Sequence, residues 1–92
     1  MKVRVQLTLE GHSFDEVINA DSPDTLMLAI RDRVAKEIGW KGLLLRTMTP
    51  LQFSQEAVRR YNEAHVKNEP QPQSVEDFVK FGERTGYLTV LD

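Results

Sequence analysis

The strongest constraint on the fold is a run of eight residues that alternates without error. From Lys2 to Leu9 the apolar side chains Val3, Val5, Leu7 and Leu9 point one way. Lys2, Arg4, Gln6 and Thr8 point the other. A period of two over this length is the pattern of a strand with one buried face. Glu10-Gly11 follows as a tight turn, with Gly able to take positive φ. Residues 12–20 then return as a second strand. A two-residue loop sets Leu9 opposite His12, Leu7 opposite Phe14, Val5 opposite Glu16 and Val3 opposite Ile18. A slip of one residue would put Ser13, Asp15 and Asn19 on the core face, so the first register is preferred. It leaves His12 and Glu16 on the apolar face and Val17 on the polar one. A β-bulge near Asp15-Glu16 would re-aim part of this set, and it is the expectation here. A carboxyl held on an apolar face is otherwise a candidate general acid, which makes Glu16 the one acid/base candidate in the chain.

The next segment carries strong helix signals. Asp21-Ser22-Pro23-Asp24 offers Ser22 or Asp21 as cap, proline at the first helical position, and a carboxylate for the positive end of the dipole. Leu26, Met27, Ile30, Val34 and Ile38 form one stripe at helical spacing, and Gly39 stops it. Trp40 then stands where a side chain folds back on the last turn. Residues 43–48 are short and apolar between Gly42 and Pro50, and read as a short strand or extended buried segment.

A second helix starts near Thr49-Pro50 or at Ser54. Ser54 is favoured because Phe53 and Val58 then make a hydrophobic staple. Alternating prolines at 70 and 72 exclude helix from residues 68–73 and favour an extended connector. Ser74 caps a third helix with Val75, Phe78 and Val79 inward, ended by Gly82 or Gly86. Tyr87–Leu91 is a closing strand. The whole is a single α+β domain over residues 1–92. It is a small, mostly antiparallel sheet of three to four strands that begins with the hairpin, with three helices mainly on one face in the order ββα(β)ααβ and the first strand central.

Composition narrows the chemistry. At 40% apolar and 28% charged, with a net charge of −2, the chain is too apolar to stay disordered. It has no cysteine, which excludes disulfides, thiolate metal sites and thiol nucleophiles, and leans towards a reducing, cytoplasmic setting. No stretch is long and apolar enough to span a membrane. His12 and His65 are far apart and show no metal-ligand spacing. Of the four serines, Ser22, Ser54 and Ser74 have capping roles, and no nucleophile-elbow or phosphate-loop motif occurs. No cofactor or metal is expected, and an enzyme is the least favoured reading.

Two binding readings remain. Leu28 lies off the first helix's stripe, Leu43, Leu44 and Leu45 cannot all hide on one face of a strand, Phe81 lies off the last helix's stripe, and Trp40 is the only tryptophan. Leu28, Trp40, Leu43, Leu44 and Leu45 therefore form the candidate surface for another protein, the expected partner. The alternative is nucleic acid or another acidic partner. Residues 31–60 carry seven basic and three acidic groups, while both ends are acidic. Arg31, Arg33, Lys36, Arg59 and Arg60 are the candidate basic patch. Solvated helix faces are the simpler account, since acidic residues are interspersed.

Overall fold

A computed structural model describes residues 1–9, 11–39 and 42–92, and the side chains of Leu9 and His12 lie outside that description. The elements run β1 (Lys2–Leu9), β2 (His12–Asn19), α1 (Pro23–Ile38), α2 (Gly42–Arg46), α3 (Pro50–His65), α4 (Val75–Thr85) and β3 (Leu88–Val90). The three strands form one antiparallel sheet in the order β2-β1-β3, so the strand of faultless alternation is central.

The hairpin register is the one its alternation demands: Val3 faces Ile18, Val5 faces Glu16, Leu7 faces Phe14 and Leu9 faces His12. The expected bulge is absent. Pairing is continuous from Lys2↔Asn19 to Leu9↔His12, and Gly11 takes the turn at φ 79°. Glu16 therefore does stand on the helix-facing side of the sheet. It needs no bulge because β2 is an edge strand, and Arg33 of α1 reaches over to it as an ion pair. The opposite face carries Arg4 and Asp15, joined by paired hydrogen bonds of 3.0 and 2.9 Å, and is open to solvent.

The helices pack on the other face. Val3, Val5, Ile18 and Leu88 meet Leu26, Met27 and Ile30 of α1, Val58 of α3 and Phe78 of α4 in one core. Burying side chains of this size is worth roughly 1.5–3 kcal/mol each, which is what holds so small a sheet to its helices. Cap chemistry sets the ends. Ser22 accepts the Thr25 amide at 3.2 Å while Thr25 Oγ1 accepts the Ser22 amide at 3.0 Å, and Gly39 ends α1 at φ 74°. Ser74 caps α4 through the Asp77 amide at 3.1 Å, and Gly86 ends it at φ 85°. Residues 67–72 form neither helix nor strand, as their prolines require.

Two helical assignments differ from the sequence-based expectation. Residues 42–46 are a short helix, not a strand. The run is too short for periodicity to separate the two states, and contact with α1 decides it. α3 begins at Pro50 rather than after Ser54. Thr49 accepts the Gln52 amide at 3.1 Å and Gln52 Oε1 accepts the Thr49 amide at 2.9 Å, a complete capping box with proline at the first helical position. Ser54 is thereby one turn inside the helix, fully buried, and donates to the Pro50 carbonyl at 2.9 Å.

Candidate functional site

The sheet and helices leave an apolar opening at the end of β1. β3 pairs with β1 only over Val3–Val5, while β1 continues to Leu9. Tyr87 extends this edge by one step, its carbonyl accepting the Gln6 amide at 2.8 Å, and among the described residues no strand continues it alongside Thr8. α3 crosses this gap without filling it, and a cleft of about 640 Å³ results. That lies inside the roughly 300–1,000 Å³ typical of ligand and side-chain pockets. Leu7, Val34, Leu45, Phe53 and Ala57 make its apolar floor.

One wall is aromatic. Tyr61 and His65, one helical turn apart on α3, stack with ring centroids 4.5 Å apart. Tyr87 meets Tyr61 edge to face at 5.5 Å, and its hydroxyl lies 3.3 Å from His65 Nε2. Burial is the main reason the Tyr87 hydroxyl titrates above its ordinary range, with Tyr61 adding to it. The rim is charged but internally paired. Glu56 accepts from both Arg59 and Arg60, and these contacts hold its carboxyl at about 2, below the ordinary 4.5. Arg59 also donates to Glu63 at 2.5 Å. Among the described residues no buried side-chain polar atom lacks a hydrogen bond, and no group of His, Asp and Glu could hold a metal ion. An occupant of this cleft would be recognised by apolar and aromatic contact.

The apolar candidates separate cleanly. Leu43 and Leu44 are exposed, at 64% and 72%, side by side on α2. Leu45 is not part of a surface: it is 4% exposed, enters the core and lines the cleft. A helical turn sends three successive side chains in different directions, so one of them turns inward. Leu28 is half-buried. Phe81 is buried, because Tyr61 covers it edge to face at 5.1 Å. Trp40 lies outside the described residues.

The basic candidates do not form a free positive face. Arg31 donates to Asp32 and, at 2.9 Å, to the Met48 carbonyl, where it ties the α2–α3 connection to α1. Arg33 is paired with Glu16, and Arg59 and Arg60 with Glu56. Lys36 is exposed on α1. The cleft itself was not legible in the sequence. Tyr61 and His65 at i,i+4 were its only local trace, and Tyr87 joins them only through the fold. No helix of the described residues is long and apolar enough to cross a membrane. Compared with family models, curated proteins and solved structures, the chain matches none of them.

Proposed function

We propose that the protein is a non-enzymatic interaction module that docks another protein through α2 and the cleft behind it. The observation that carries this reading is the pair Leu43 and Leu44, adjacent and exposed on a helix whose next residue, Leu45, walls an apolar cleft. Adjacent large apolar side chains left exposed on one element beside an apolar pocket are the kind of surface that marks a contact site. The paired state of every charge at the rim supports it too, since such a rim adds orientation without demanding a charged ligand. The setting we assign is the cytoplasm, where a domain without cysteines is at home.

The experiment compares the wild-type protein with a Leu43→Ser/Leu44→Ser variant as bait in extracts of the native host. Proteins retained by wild type and lost by the variant, at unchanged melting temperature, support the reading. An identical retained set overturns it. The nucleic-acid alternative draws on Arg31, Arg33, Lys36, Arg59 and Arg60. It predicts a salt-sensitive shift of DNA or RNA probes. The carboxylates already bound to Arg31, Arg33, Arg59 and Arg60 weigh against it.

A further inference from the structure

β2 forms one side of the sheet, and no strand of the described residues pairs with its outer edge. The register determines which of its main-chain groups are free. The Gln6 amide donates to Tyr87 and the Lys2 carbonyl accepts from Leu91, so the even residues of β1 address β3 and the odd ones address β2. Their partners in β2 are His12, Phe14, Glu16 and Ile18. The amides and carbonyls of Ser13, Asp15, Val17 and Asn19 consequently point outward. Three of the usual guards of an edge are missing: β2 contains no proline, no lysine and no bulge. Val17 adds an apolar side chain, 51% exposed, on the open face of the sheet.

One guard is present in altered form. A charge on the inward face of an edge strand ordinarily discourages pairing, and Glu16 is such a charge. Here it is held by Arg33 of α1, and both side chains remain partly exposed. A foreign apolar strand laid along this edge would crowd the carboxylate and bring nothing to meet it. A second copy of the chain brings its own Glu16 and Arg33.

We propose that β2 pairs antiparallel with β2 of a second copy across a two-fold axis at Glu16, which joins the two sheets into one. This is the register in which each of the four outward residues meets another of the four: Ser13 faces Asn19 of the partner and Asp15 faces its Val17. On the helix side Phe14 faces Ile18 of the partner, an aromatic–β-branched pair of the kind that stabilises sheets. The two Glu16 carboxylates then lie opposite each other, where like charges alone would repel. Interleaved with the two Arg33 guanidinium groups they close a ring of alternating charge. The pairing uses no residue of α2, so it stands or falls independently of the docking reading above.

The test follows amide hydrogen exchange and sedimentation of the full chain over a concentration series up to about 1 mM, the range of weak association. The expected result is a monomer–dimer equilibrium in which the amides of Ser13, Asp15, Val17 and Asn19 slow by at least about tenfold as dimer forms. Those of Phe14, Glu16 and Ile18 stay protected throughout. Arg33→Glu weakens the dimer at least about tenfold, the scale of a close charge pair, and Glu16→Arg/Arg33→Glu restores it, because the ring keeps its alternation. A chain that stays monomeric throughout overturns the proposal. So does a dimer that leaves the four outward amides unprotected or is indifferent to Arg33→Glu.

Discussion

Gly42, the first residue of α2, rests on the main chain of Ala35 in α1: a β-carbon at Gly42 would lie 2.1 Å from the Ala35 carbonyl oxygen and 2.5 Å from its Cα. The obstacle is backbone, which cannot rotate away. Glycine is ordinarily, after proline, the weakest choice within a helix, and replacing it with alanine gains about 1 kcal/mol. At this position the sign reverses. Gly42→Ala is expected to lower stability by about 1–3 kcal/mol, the scale of overpacking, measured by urea denaturation.

Val66 carries the opposite kind of strain. It ends α3 in the left-handed region at φ 52°, and is a β-branched residue almost fully exposed. That conformation costs an L-residue roughly 1–2 kcal/mol. Glycine removes this cost but adds freedom to the unfolded chain. Val66→Gly is therefore expected to raise stability by about 0.5–1 kcal/mol, read as a higher denaturation midpoint. Asn62 brackets the same turn by holding the Glu69 amide and carbonyl, and its replacement by alanine is expected to act the other way.

The start of α3 can be tested by two conservative changes. Thr49→Ala removes the cap and should cost about 1 kcal/mol. Ser54→Ala removes one hydroxyl that bonds back to a carbonyl already within the helix, and should cost less than half as much. Equal losses, or the reverse order, would contradict the observed cap.

The leucine run should divide by direction. Leu45→Ala empties a core position and is expected to cost about 2–5 kcal/mol. Leu43→Ser and Leu44→Ser remove exposed side chains and should stay within about 0.5 kcal/mol of wild type. Thermal denaturation of the three variants decides this, and also qualifies the double serine variant as a fair binding control.

Glu56 sets an acid limit. Its carboxyl titrates at about 2 in the folded protein, against an ordinary 4.5, because it accepts hydrogen bonds from Arg59 and Arg60. A lowered folded value means that the stabilisation is fully present above 4.5 and is lost as pH falls towards 2. Its size should be on the order of 1 kcal/mol, since the site is open to water on one side. In denaturation series across this window the gap between wild type and Glu56→Gln should close as the pH falls.

How much of this was legible in the sequence depends on how local each cause is. The β1–β2 register follows from side-chain period and a two-residue turn, both contained within residues 2–19. The ends of α1 and α4 follow from Ser22, Gly39, Ser74 and Gly86, whose hydrogen bonds or backbone freedom act within a few residues. Thr49 belongs to the same class. Its capping box was present in the sequence and was outweighed there by a staple at Phe53 and Val58, which the structure satisfies by burying both residues in the core instead.

The remainder was decided by residues far apart in the chain. Residues 42–46 are helical because Gly42 can approach Ala35, and no period in five residues encodes that approach. Phe81 is inside because Tyr61 happens to cross it. Glu16 needed no bulge because α1 places Arg33 within reach of an edge strand. The cleft exists because β3 stops short of the end of β1 and α3 spans the difference. By itself the sequence determined each element whose hydrogen bonds and side-chain period close locally. Only the tertiary structure decided which side chains at their margins are covered, because covering a side chain takes a second surface that local pattern does not specify.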